Sequence, residues 1–210
     1  MKHEWRKKEK EVYLPKNKPE LAEIPAYKYF TVKGEGNPNS EGFPKYIGVL
    51  YSLSYTVKMS YKKGIEPPGF FDYTVYPLEG VWDLKDEAKE NFNGSVNKDD
   101  LIFTLMIRQP DFVDEEFAEK ILGLTKQKKP HELLDSVKFE TMTEGTCVQM
   151  LHLGSYDNEP ESFRIMEEFA TENGCERLSK VHKEIYLTDA RKVPPEKLKT
   201  VLRFQVEKID

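Results

Sequence analysis

His182-Lys183-Glu184-Ile185-Tyr186-Leu187-Thr188 alternates in the way a half-buried strand does. Successive side chains of a strand point to opposite faces, so Ile185 and Leu187 share one face and His182, Glu184, Tyr186 and Thr188 share the other. A carboxylate beside a tyrosine on the polar face of a strand fits two arrangements. One is an ordinary solvated sheet face; the other is the acidic floor of an aromatic pocket.

The segments around this strand have a recognisable order. Residues 146–153 (TCVQMLHL) read as a strand, Gly154-Ser155-Tyr156-Asp157-Asn158 as a turn, and Pro160 opens a helix over 161–173 that Gly174 closes. Residues 200–208 read as the last strand. The first half runs in the same order. Residues 24–33 (IPAYKYFTVK) are rich in β-branched and aromatic residues and predict a strand. Gly34-Glu35-Gly36-Asn37-Pro38 ends it, Pro44 opens a helix over 45–62, and residues 71–78 (FDYTVYPL) predict a strand with Pro77 at its edge or end. Glu79, Gly80 and Trp82 then read as an acid and an indole separated by a glycine bend, and residues 101–108 (LIFTLMIR) as the next strand.

The chain therefore repeats itself: strand, glycine turn, proline-opened helix, strand, strand. Thr31-Val32-Lys33-Gly34 corresponds to Leu151-His152-Leu153-Gly154, Val75-Tyr76 to Ile185-Tyr186, and Phe103-Thr104-Leu105 to Leu202-Arg203-Phe204. The predicted fold class is α+β, with tandem duplicated small α+β units, antiparallel sheets carrying helices on one side, and a ligand cleft between the halves. Residues 1–20 read as an N-terminal arm with Trp5 as an anchor, and residues 21–208 as the domain. Repeat one spans about 24–108, an inserted helix about 113–128, and repeat two about 146–208. Residues 138–142 are a further strand candidate.

Composition narrows the function classes. The chain has 210 residues, 38% hydrophobic and 33% charged, with a formal net charge of -5. That balance excludes a general nucleic-acid binder, which needs a basic footprint against phosphate. No apolar run reaches the length that spans a bilayer, and residues 1–11 lack the apolar core of a signal peptide, so a cytoplasmic location is expected. The two cysteines, Cys147 and Cys175, are too few for a disulfide framework and have no histidine beside them in a nucleophile motif. The four histidines show no ligand spacing, and neither a metal nor a cofactor is expected.

The helix over 45–62 carries Tyr46, Tyr51 and Tyr55, with Tyr61 near its end, more hydroxyls than a plain core would hold. The duplicated layout, the glycine-proline turns, the P-L-E-G-V-W segment (77–82) and the H-K-E-I-Y-L segment (182–187) resemble the GyrI-like small-molecule-binding family over roughly residues 20–208. The resemblance implies a cleft for bulky, often cationic or polycyclic aromatic compounds. It places the family's cleft glutamate on Glu184, implies pocket roles for Glu79 and Trp82, and puts a cleft tyrosine at Tyr55. Some members of this branch are hydrolases that open the cyclopropane ring of DNA-alkylating natural products. Others are effector domains fused to DNA-binding regulators, or gyrase inhibitors.

The expected catalytic residues are Glu184 as general base, Tyr55 as hydroxyl donor and Glu79 as a second acid. The expected ligand-binding residues are Trp82, Tyr186, Tyr51, Arg108 and Tyr156. The expected partners are hydrophobic aromatic or cationic small molecules, without direct nucleic-acid or membrane binding. The alternatives are a non-catalytic drug sensor or sequestering module, and a gyrase-inhibitor-like interaction protein.

Overall fold

The structure, a computed structural model, describes residues 2–91 and 96–209; the first residue of the expected arm lies outside them. The strands are β1 (Glu20–Ile24), β2 (Tyr27–Glu35), β3 (Leu78–Leu84), β4 (Leu101–Gln109), β5 (Lys138–Met142), β6 (Gly145–Leu153), β7 (Cys175–Arg177), β8 (His182–Tyr186) and β9 (Lys199–Lys208). The helices are α1 (Trp5–Lys8), α2 (Lys10–Tyr13), α3 (Phe43–Lys58), α4 (Asp86–Glu90), α5 (Glu115–Lys128) and α6 (Glu159–Glu172). The chain folds as two compact units, residues 2–4 with 27–142, and residues 5–26 with 143–209.

The first unit is an antiparallel sheet in the order β3-β4-β2-β5. Register sets its two faces. Gly34 and Trp82 both pair with Phe103, while Val32 and Gly80 pair with Leu105. These residues lie on the face that carries α3, because Phe103 meets Phe43 and Tyr46 of that helix edge-on and Gln109 Nε2 donates to Ser54 Oγ at 3.0 Å. Leu50, Leu53 and Val57 of α3 complete a core with Val32, Leu105 and Ile107. Gly34 is required here, since a Cβ would stand 2.5 Å from the Phe103 ring. The α5 helix packs against α3 and is capped by Asp114, whose carboxylate accepts the Phe117 N–H at 2.8 Å.

The second unit has the sheet order β1-β6-β9-β8, with β7 on the far end of β9. Met166 and Ala170 of α6 pack on Val148, Met150, Leu202 and Phe204. The opposite face holds a buried polar network. Lys183 Nζ and Arg203 Nη1 both donate to Glu144 Oε1, at 2.7 and 3.2 Å. Arg203 also donates to Gln149 Oε1 at 2.8 Å and to the Val12 carbonyl at 2.6 Å. Gln149 in turn donates to the Glu11 carbonyl at 2.7 Å. These bonds fasten α2, whose Tyr13 packs on Trp5 with ring centroids 5.2 Å apart.

Each unit thus runs strand, helix, strand, strand (β2-α3-β3-β4 and β6-α6-β8-β9), and in each the last strand pairs with the other two. The duplicated α+β fold expected from the repeat is what the topology shows. Among the described residues no helix is long and apolar enough to cross a membrane.

Three element readings are corrected. The strand expected over 71–78 is irregular up to Pro77, apart from one bridge between Tyr73 and His3. Its Phe71 and Tyr73 instead pack on Phe112 at 5.2 and 6.0 Å, so a β-rich composition serves an aromatic loop cluster. The strand lies one step later, over Leu78–Leu84, where pairing with β4 straightens the expected glycine bend. Topology therefore matches β3, rather than Val75-Tyr76, to β8. Finally, residues 24–33 are split at Pro25-Ala26, and the segment before the break, Glu20–Ile24, pairs with β6 instead.

Candidate functional site

Within β8 the pairing of Glu184 with Leu202 and of Tyr186 with Thr200 places both side chains on the face that carries α6. His182 follows the same parity, and its ring meets Phe163 of α6 at 4.7 Å. The expected division of faces is correct in register over 182–186, where the strand ends short of Leu187 and Thr188, and His182 and Tyr186 are half-buried. Glu184 is only 8% exposed, because α6 covers it. Lys183 and Ile185 point the other way and are buried too, Lys183 held by Glu144.

Two further groups complete the cluster. Glu159, the first residue of α6, is 7% exposed, and one donor atom each from Glu159, His182 and Glu184 lie within 4.8 Å of one another. His182 Nε2 stands 3.2 Å from Glu184 Oε1, and its Nδ1 stands 3.4 Å from the Lys180 carbonyl. The turn before α6, opened by Ser155 accepting the Asp157 N–H, supplies Tyr156. Its ring meets Tyr186 edge-on at 6.2 Å. Burial first, then the negative charges of Glu184, Glu159 and Asp189, push the Tyr156 phenol up to about 12, while a hydrogen bond with Thr200 pulls the other way. The phenol is therefore neutral and a proton donor at physiological pH.

Of the residues expected from sequence, the fold brings Glu184, Tyr156 and Tyr186 together. The others belong to the first unit. Trp82 lies on the α3 face of its sheet, with Phe43 at 5.9 Å and Phe103 at 5.3 Å, in a core environment. Glu79 is one residue parity away, on the opposite face of β3, and is 1% exposed. Arg108 shares that face with Glu79, its guanidinium 3.4 Å above the Tyr27 ring and 4.5 Å from that of Tyr76. Tyr51 and Tyr55 stand side by side on α3, ring centroids 6.2 Å apart. They line a groove of about 380 Å³ with Met59 and Leu124, and Tyr55 is 52% exposed. Within its own unit, Glu79 faces away from the main helix and Glu184 faces toward it, so the two acids hold non-equivalent places in the repeat.

Sequence reasoning missed Glu159 and gave His182 no partner. The E-P step that opens α6 marks a helix start, but nothing in its spacing connects it to the strand over 182–186.

A family model for the GyrI-like small molecule binding domain matches residues 17–207. The chain belongs to this family. Among solved structures it is similar to a hydrolase from Listeria innocua, with 36% identity over 98% of this chain and 100% of that one and a TM-score of 0.87. It is also similar to a Listeria innocua hydrolase encoded by lin2189, with 35% identity over 99% and 100% and a TM-score of 0.89. The C-terminal domain of EcmrR, 17% identical over 94% of this chain and 99% of that one with a TM-score of 0.53, shares the fold alone. No curated protein matches the chain.

The cluster can do two things chemically. A buried carboxylate with an imidazole beside it attracts a cation or takes a proton from water. The neutral phenol of Tyr156 donates to an oxygen on which negative charge develops.

Proposed function

We propose that the protein hydrolyses cyclopropane-bearing, electrophilic aromatic natural products, with Glu184 as general base. The observation that carries this reading is the buried Glu184 carboxylate beside His182 and Glu159, with the Tyr156 phenol on the same face. Identity of 36% and 35% to two hydrolases supports a hydrolytic rather than a purely binding role.

In the proposed step Glu184 accepts a proton from water as the water oxygen bonds to the ring methylene. The strained C–C bond breaks, and its electron pair passes through the conjugated dienone to the distant carbonyl oxygen, which takes a proton and becomes a phenol. Tyr156 serves this oxygen as donor. General-base assistance supplies about 10²–10⁴-fold, enough for a ring already activated by strain and conjugation. His182, in hydrogen-bond range of Glu184, orients the carboxylate. Tyr186 and Phe163 supply apolar walls for a flat aromatic ligand.

The test is incubation of the purified protein with a cyclopropane-bearing alkylating natural product in ¹⁸O-water, followed by mass spectrometry. The product carries one added water, labelled. Tight binding of the compound without any mass change would replace the hydrolase with a binding protein.

A further inference from the structure

We propose that Glu159, His182 and Glu184 form a binding site for a divalent transition-metal ion, with Zn2+ as the best match. Along the sequence the three show no ligand spacing; the fold assembles them by laying the first turn of α6 over β8.

Geometry is the first support. Zinc binds imidazole nitrogen and carboxylate oxygen at about 2.0–2.2 Å, so two ligands on a tetrahedral ion stand roughly 3.3–3.6 Å apart. His182 Nε2 and Glu184 Oε1 are already 3.2 Å apart, and all three donor atoms lie within 4.8 Å, a spread that side-chain rotation closes. The donors sit on a helix and a strand rather than on a loop, so the site is largely preformed.

The imidazole tautomer is the second. His182 Nδ1 faces the Lys180 carbonyl at 3.4 Å. When the ring proton moves there, the Nε2 lone pair is free for an ion beside the Glu184 oxygen. A metal-bound histidine has the same arrangement, its other ring nitrogen donating to a backbone carbonyl. An ion between Nε2 and Oε1 takes the place of the hydrogen bond that joins them at 3.2 Å.

Charge and chemical type complete the argument. Glu159 and Glu184, 7% and 8% exposed, lie side by side, and the ionisable neighbour of Glu184 is His182. A divalent ion offsets both desolvated charges at once. One nitrogen and two carboxylate oxygens suit zinc or manganese better than a hard, oxygen-only ion such as Mg2+, and zinc stands above manganese in intrinsic affinity. The inference concerns binding and stands without the hydrolytic reading. If that reading also holds, zinc occupies the lone pair of the general base and inhibits turnover.

The experiment is calorimetric titration of the chelator-treated protein with ZnCl2, alongside thermal melting with ZnCl2 or MgCl2. The expected result is one zinc per chain and a melting temperature raised by zinc and not by magnesium. Glu159→Gln and His182→Gln each weaken zinc binding by at least about 100-fold, the upper end of what losing an outer-shell partner costs. Glu161→Gln, an exposed acid on the same helix turn paired with Arg164, leaves binding unchanged. Melting without metal reports whether each variant is folded, and either of the two ligand variants suffices if the other does not fold. Absence of zinc binding to the wild type, or folded ligand variants that bind like the wild type, would overturn the proposal.

Discussion

Replacing Glu144 by glutamine should destabilise the second unit more than any surface charge change, and the size of the effect follows from what it leaves behind. Glu144 Oε1 accepts from both Lys183 and Arg203, whose side chains are 4% and 1% exposed. Glutamine keeps the shape and loses the charge, so two buried cations lose their shared anion. Breaking a buried pair from one side costs about 3–5 kcal/mol. Arg203 keeps its bonds to Gln149 and to the Val12 carbonyl, which places the cost at the low end, about 3 kcal/mol. For a chain of this size that is roughly 6–12 °C in melting temperature. Burial raises the Glu144 pKa, but Lys183 and Arg203 outweigh it and hold the carboxyl below its ordinary value of 4.5. A depressed acid contributes stability that is complete above the unfolded pKa and disappears as pH falls through the folded one. Urea unfolding of wild type and Glu144→Gln at pH 7 and at pH 3 measures both statements. The gap should be near 3 kcal/mol at pH 7 and should shrink in acid. A gap under about 1 kcal/mol at pH 7, or one that is the same at both pH values, would mean that the Glu144 charge does not hold the two buried cations.

Two smaller effects test how the first unit is built. Gly34→Ala pushes a methyl to within 2.5 Å of the Phe103 ring and 3.0 Å of Tyr46, and overpacking of this kind costs about 1–3 kcal/mol; chemical denaturation should register it, and a neutral result would mean that the α3 face is loosely packed. Asp114→Ala removes the N-cap of α5 and should cost about 0.5–2 kcal/mol, with Asp114→Asn recovering most of it in the same assay.

The duplicated architecture was legible because its signals are local. Pro44 and Pro160 near the starts of α3 and α6, the glycine turns before them, and the β-rich runs of β4, β6 and β9 each announce themselves within a few residues. The strand β3 did not, since Leu78–Leu84 contains a glycine and two acids, and what makes it a strand is the long-range ladder to β4. The neighbouring Phe71 and Tyr73 look like strand residues because aromatic side chains suit a sheet and a loop cluster equally well. At the site, alternation along β8 put Glu184 on the polar face, and the family resemblance gave it a role. Glu159 was invisible for the reason β3 was, as its contact is made by the packing of α6 on the sheet. Lys183 falls on the face of Ile185, and strand parity says nothing of the buried network that holds it there.

Whether Glu184 acts as a base on water is read from a comparison of wild type with Glu184→Gln. Turnover of a cyclopropane-bearing substrate and affinity for a neutral, ring-opened analogue are measured on the same two proteins. Turnover should fall by about 10²–10⁴-fold while analogue affinity stays close to that of the wild type. Turnover that survives the substitution would contradict it, and so would turnover and neutral-analogue affinity lost in equal measure.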